Sequence, residues 1–237
     1  MTMNEQAATT TKLQVLDNPI WHALTTLQRR SAERNELAAR FPPEVTLLAG
    51  MAHSTSEAWD SLARLLRGSP AAVFFAETPS LPDGWKAIDG SPLVQMICKK
   101  AEIPGEDDLS SIKTLGAKDN PEMLALAKLT KPGPFGTRTH ELGEYIGIRE
   151  SGRLAAMAGE RLHLQGYTEV SAVCTHPDSQ GRGYAGRLMS ILTRKILQRG
   201  EMPILHVRQD NTSAIRLYEK LGFRTRRLLH FLVVLAG

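Results

Sequence analysis

Cysteine is nearly absent. The two present, Cys98 and Cys174, are too few for a disulfide framework and lack metal-ligand spacing. A disulfide-stapled secreted scaffold is excluded, and a reducing, cytoplasmic compartment is expected. Long apolar runs are missing too: no stretch reaches membrane length, so no membrane partner is expected. The first residues, Met1–Lys12, are polar and threonine-rich without the apolar centre of a signal peptide, and read as a disordered tail. Charge is only mildly biased, with a net +4 and a pI of about 9.2. No aromatic–basic interleaving or recognition-helix pattern stands out, so nucleic acid is not an expected partner. At 237 residues and 42% hydrophobic, the chain has material for one large core or two domains.

What is present concentrates between Glu169 and Phe223. An apolar, β-branched run, Val170–Thr175, reads as a buried strand. After a turn with Pro177 and Asp178 comes Gln180-Gly181-Arg182-Gly183-Tyr184-Ala185-Gly186. A helix from about Arg182 to Arg199 then carries Ala185, Leu188, Leu192 and Ile196 as an apolar stripe. A glycine-rich start to a helix leaves backbone N–H groups unpaired and pointing one way; with the helix dipole they favour phosphate. Glycine is needed there for close approach of phosphate oxygens or for the dihedrals of the turn.

Two phosphate ligands compete for this loop. Gly181-x-Gly183-x-x-Gly186 fits a dinucleotide fingerprint, which also requires an acidic residue ending the next strand. Glu201 precedes that strand (Pro203–Arg208) and Asp210 lies past it. Too little chain follows Gly186 for the rest of a doubly wound sheet. The alternative is a coenzyme A pyrophosphate cradle.

The next segment favours the second ligand. Asn211 or Thr212 is a good N-cap; Ala214, Leu217, Tyr218 and Leu221 fall on one helical face, and Gly222 is a natural stop. The two motifs together resemble the GNAT superfamily of acyl-CoA N-acyltransferases. Its signature is Q/R-x-x-G-x-G/A followed by N-x-x-A-x-x-L-Y-x-x-x-G-F. Gln180, Gly183 and Ala185 supply the first part here; Asn211, Ala214, Leu217, Tyr218, Gly222 and Phe223 supply the second. The resemblance covers about residues 108 to 237 and is closest to the FR47-like branch.

An α/β fold with a mixed (α+β) sheet is implied. Strands at Ser111–Ala117, Tyr145–Arg149, Leu154–Leu164, Val170–Thr175, Ile204–Arg208 and Arg227–Leu235, with a helix opening at Asn120, match the GNAT order. That order places a second helix around Thr139–Glu144. The domain reading is a tail over 1–12, an N-terminal α/β region over 13–105 and a GNAT domain over 106–237. In the N-terminal region, helices are expected over Trp21–Ala39 and Ser56–Leu66. Strands are expected over Glu44–Ala49, Ala71–Ala76 and Leu93–Cys98, and a linker over Ile103–Asp108. The region reads as a degenerate GNAT-like half or as a lid over the acceptor.

The resemblance also implies chemistry. Acetyl-CoA would be the cofactor and an amine on a small molecule or peptide the acceptor. The pantetheine arm would pair with Val173, Cys174 and Thr175. Backbone N–H groups from Gly181 through Arg182, Gly183, Tyr184 and Ala185 to Gly186 would hold the pyrophosphate, with Gln180 and Asn211 shaping the site. Tyr218 stands where the family places its general acid; a phenol near pKa 10 is able to protonate a thiolate near 8.5, with little driving force. Glu169 stands where some members have a glutamate base, which would need burial to raise its pKa or a water relay. Cys174 reads as a small apolar core residue more readily than as a nucleophile. Arg224-Thr225-Arg226-Arg227 reads as a solvated strand flank, and the apolar final strand offers an edge for a homodimer. A catalytically inactive coenzyme A-binding module is the alternative function.

Overall fold

In the computed structural model, residues 13–101 and 112–237 are described. The tail expected over 1–12 and the linker expected over 103–108 lie outside them. Two compact units divide the rest. One takes the chain up to Pro42, Leu48–Leu93 and Leu228–Gly237; the other takes Pro43–Leu47 and Val94–Arg227. The chain passes between them more than once, where the sequence suggested one cut near residue 105.

In the first unit, the single helix expected over Trp21–Ala39 is three short pieces. These are α1 (Pro19–Thr25), a 3-10 turn (Arg29–Ser31) and a hairpin of β1 (Glu33–Arg34) with β2 (Ala38–Arg40). Local polar side chains explain the break. Thr25 and Thr26 donate back to the Trp21 and His22 carbonyls, while Asn35 Oδ1 accepts from the Leu37 and Ala38 N–H groups at 3.3 and 2.9 Å. The strand expected over Glu44–Ala49 shrinks to β3 (Ala49–Met51), preceded by a single Leu48–Ala72 bridge. Helix α2 (Ser56–Leu66) forms as its stripe requires, capped by Thr55, whose hydroxyl accepts from the Ala58 N–H. Trp59 then stacks on Phe75 at 5.8 Å and meets Trp85 edge-on at 4.7 Å. Strand β4 (Ala71–Phe75) pairs antiparallel with His230–Val234 of β11 (Arg224–Ala236). Strand β5 (Trp85–Ile97) starts well before the expected Leu93.

The second unit contains β6 (Ile112–Leu115), α3 (Asn120–Thr130), β7 (Tyr145–Glu150), β8 (Arg153–Leu164), β9 (Tyr167–Thr175), α4 (Tyr184–Gln198), β10 (Met202–Arg208) and α5 (Thr212–Lys220). Its strand order is β5-β10-β9-β8-β7-β6. The neighbours from β6 to β9 are antiparallel, and β9–β10 is parallel, so the sheet is mixed. Where the family order places a second helix there is a four-residue 3-10 turn, Thr139–Leu142. Period-two alternation sorts the side chains of β8: Ala156 and Ala158 join a core with Leu188, Leu192 and Ile196 of α4, while Met157 joins another with Met123 and Leu126 of α3. Helices thus cover both faces, which is why β8 is buried almost throughout. The final strand lies between β4 and β5. Neither edge is open, which corrects the expectation that it pairs across a homodimer.

Candidate active site

Strands β9 and β10 are in register over three pairs only, from Tyr167–Met202 to Glu169–Ile204. Beyond Glu169 they separate. Ala172 adopts φ +53°, and one extra residue of β9 is accommodated between the Met157–Cys174 and Gly159–Ser171 pairs with β8. An alanine in the left-handed region is strained, and such a bulge bends its strand. The result is a fork. Backbone polar groups of β9 from Val173 onward face a cleft where the β10 ladder has ended, so they need another partner.

The cleft has a volume of about 630 Å³. It gathers every residue that the sequence singled out for the cofactor: Val173, Cys174, Thr175, Gln180 through Gly186, and Asn211, together with Tyr218. Gly181 and Gly183 take φ of +78° and +76°, and nothing lies within 4 Å of where a Cβ would stand. Their requirement is therefore dihedral, set by the turn that starts α4. Gly186 differs: it lies beside Leu217 of α5, where a Cβ would make an ordinary contact with Cδ1 at 3.4 Å. Asn211 caps α5 by accepting from the Ala214 N–H at 3.2 Å, and α5 ends with the Phe223 N–H on the Tyr218 carbonyl at 3.0 Å. These two ends fix where Tyr218 stands.

The sequence reading missed Glu150. Its carboxylate accepts from the Ser179 hydroxyl, the Arg182 guanidinium and the Tyr184 hydroxyl, three donors from the glycine loop and its flanks. Hydrogen bonds from Ser179 and Tyr184 hold it below the usual carboxylate range. The Arg182 side chain, which the sequence left between flanking the phosphates and solvent, pairs with this carboxylate. Glu150 is the last residue of β7, and nothing local in the sequence marks it as a partner of a loop thirty residues away. Glu150→Ala is expected to weaken acetyl-CoA binding about tenfold by loosening the loop, with little change in melting temperature; calorimetry and a thermal melt check both.

Tyr218 is buried, and burial, then the neighbouring Cys174, pushes its phenol up to about 12. Cys174 is pushed up to about 11, again by burial, and so stays a thiol. Glu169 does not line the cleft. It is fully buried and accepts both arms of Arg161, from Nε at 2.9 Å and Nη2 at 2.6 Å. His206 Nδ1 lies 2.7 Å away. Burial by itself would raise the carboxyl; Arg161 and His206 more than offset it and hold Glu169 at about 2. A carboxylate so held has no affinity for a proton at neutral pH, which counts against the base role expected for it. His206 Nε2 meets Gln95 Nε2 at 2.9 Å, and Gln95 Oε1 accepts from Arg226 at 2.7 Å. The His206 ring thus bridges Glu169 and Gln95 through its two nitrogens. Arg161, Glu169, His206, Gln95 and Arg226 come one each from five strands that are neighbours in the sheet order. Arg226, expected as a solvated flank, is part of that row.

Comparison with known proteins agrees with the geometry. A family model described as FR47-like protein matches residues 145–232. A crystal structure of a GNAT-family protein from Novosphingobium aromaticivorans is 40% identical, covers 94% of this chain and 98% of its own, and superposes with a TM-score of 0.87. A GCN5-related N-acetyltransferase from Kribbella flavida shares the fold at 16% identity, with a TM-score of 0.64 over 92% of this chain and 96% of its own. Among sequence relatives, a mycothiol acetyltransferase from Streptomyces avermitilis is 26% identical over 68% of this chain. An acetyltransferase from Yersinia enterocolitica is 47% identical over 22% of it. The chain spans only 50% and 37% of those two relatives. The protein belongs to the GNAT family. The FR47-like match falls on the segment that builds the fork, the glycine loop and α5.

Proposed function

We propose that the protein is an N-acetyltransferase that moves the acetyl group of acetyl-CoA to a primary amine by direct attack. One observation carries the reading: the forked β9 edge, the glycine turn and Tyr218 converge on a single cleft. The loop N–H groups from Gly181 to Gly186 bind the pyrophosphate, aided by the N-terminal dipole of α4. The open β9 edge at Val173–Thr175 pairs with the amides of the pantetheine arm. That places the thioester toward the narrow end of the fork, near Ala172 and Tyr218.

Tyr218 acts on the leaving sulfur. With its pKa near 12, complete proton transfer to a ground-state thiolate near 8.5 is uphill. The hydroxyl therefore serves first as a hydrogen-bond donor to charge developing on sulfur; its proton passes to the departing thiolate only in step with C–S cleavage, and the phenolate is reprotonated at once from solvent. Glu169 does not serve as the base. It holds Arg161 and His206 beside the fork, and the amine loses its proton to solvent.

Titration with acetyl-CoA and with NADH tests the assignment, followed by thiol release in the presence of amines. Binding of acetyl-CoA but not NADH, with amine-dependent thiol release, is expected. Acetyl-CoA binding without turnover of any amine would favour an inactive coenzyme A-binding module. Tyr218→Phe should lower kcat about 100-fold while leaving acetyl-CoA affinity within about threefold. Since the Tyr218 pKa is raised, the wild-type rate should show no alkaline fall centred near pH 10, where an ordinary phenol would ionise.

A further inference from the structure

One buried hydroxyl near the cleft has no partner. Tyr145, at the start of β7, is 1% exposed, and its Oη makes no hydrogen bond among the described residues. Buried hydroxyls are nearly always paired, so an orphan calls for a cause. The ring is held firmly. Gly159 stands opposite Tyr145 in the β7–β8 register, and a Cβ there would lie 2.3 Å from the ring. Phe135 meets the ring edge-on, with centroids 5.9 Å apart.

Tyr145, Phe135, Arg161, Ser171 and Ala172 line a narrow cavity with no place wide enough for a water molecule. Solvent therefore does not satisfy the hydroxyl. The chain segments that line the cleft run on into those that line this cavity. Leu129 and Thr130 of the cleft lead into Pro132–Phe135 on one side; Cys174 leads back to Ala172 and Ser171 on the other. In the proposed cofactor pose this puts it past the thioester, with Arg161 of the Arg161–Glu169 pair on its wall.

We propose that this cavity is the acceptor subsite, where the Tyr145 hydroxyl donates a hydrogen bond to a carbonyl or carboxylate oxygen carried by the amine substrate. The proposal rests on the N-acetyltransferase reading. An oxygen acceptor suits the place, because a phenol O–H shielded from water is satisfied by donating to one. The nucleophilic nitrogen then points back toward the thioester. Binding requires the Pro132–Phe135 wall to move outward. That wall follows Lys131 at φ +50° and contains Gly133 at φ +131° and two prolines, a connection with no helix or strand bonding to break.

Tyr145→Phe tests the assignment against three matched series: α-amino acids, their amides, and the corresponding amines lacking any such oxygen. The wild type is expected to use the acids or the amides with a KM at least tenfold below that of the oxygen-free amines. Whichever series wins says whether the oxygen is a carboxylate or a carbonyl. In Tyr145→Phe the KM for that series should rise about tenfold, with acetyl-CoA affinity and KM for the oxygen-free amines unchanged. The melting temperature should stay the same or rise, since the variant removes a hydroxyl that is unsatisfied in the free protein. A fall of several degrees would mean that the hydroxyl is structurally paired, and would overturn the proposal. So would equal KM values across the three series, or a Tyr145→Phe KM equal to wild type. Wild-type protein that acetylates none of the three would instead bring down the N-acetyltransferase reading, and this inference with it.

Discussion

Gly183→Glu is expected to lower acetyl-CoA affinity at least about 100-fold, a loss of about 2.7 kcal/mol in binding. Two effects combine. Gly183 sits at φ +76° as the residue before α4, where an L side chain costs about 1 kcal/mol of backbone strain. The carboxylate would also stand among the N–H groups assigned to the pyrophosphate. Like charges about 4 Å apart repel by roughly 1 kcal/mol in water and about 4 kcal/mol near a protein surface. Gly183→Ala separates the two, because it strains the turn without adding charge. It should weaken binding less than about tenfold, the size expected from strain of that order. If calorimetry shows both variants binding like wild type, the loop does not hold phosphate and the cofactor assignment falls.

Arg161→Met is expected to destabilise the fold by about 3–5 kcal/mol, because it leaves the Glu169 carboxylate buried without its bidentate partner. Glu169→Gln should cost a similar amount by stranding Arg161. The double variant Arg161→Met/Glu169→Leu should recover most of the loss, since a buried ion pair replaced by apolar groups is often close to neutral. Urea melts of the four proteins give the coupling directly. The pH dependence has a definite sign. Glu169 is held at about 2 in the folded chain against an ordinary 4.5, so its folded-state stabilisation is fully present above pH 4.5. It is lost as pH falls from 4.5 toward 2, by about 3 kcal/mol. The double variant should lack that part of the acid destabilisation. Parallel stability curves for wild type and double variant between pH 5 and 2 would show that the pair is not ionised as described.

The glycine turn, the stripe of α4 and the capped helix α5 were legible because each is written in fewer than twenty consecutive residues. Helix periodicity, the Asn211 cap and the Gly222 stop are short-range devices that local propensity decides. The first ninety residues were harder. Their periodicity over Trp21–Ala39 is imperfect, and Thr25, Thr26 and Asn35 spend their polar groups on turns that a helical reading overlooks. Glu169 shows the limit most sharply. Its position at the head of β9 was legible, but its chemistry depends on Arg161, His206 and Gln95, brought together from three other strands.

The sequence by itself determined the local elements of the cleft: a glycine turn before an amphipathic helix, then a capped helix carrying Tyr218. These depend on backbone dihedrals and side-chain period, which neighbours in the chain control. Only the tertiary structure decided where β9 leaves β10, that Glu150 anchors the loop, that Glu169 is an ion-pair partner, and that Tyr145 keeps an unpaired hydroxyl. Each of these depends on strand pairing and burial between residues distant in sequence. Burial and neighbouring charge set what an ionisable group can do, and neither is a property of the residue or of its neighbours along the chain.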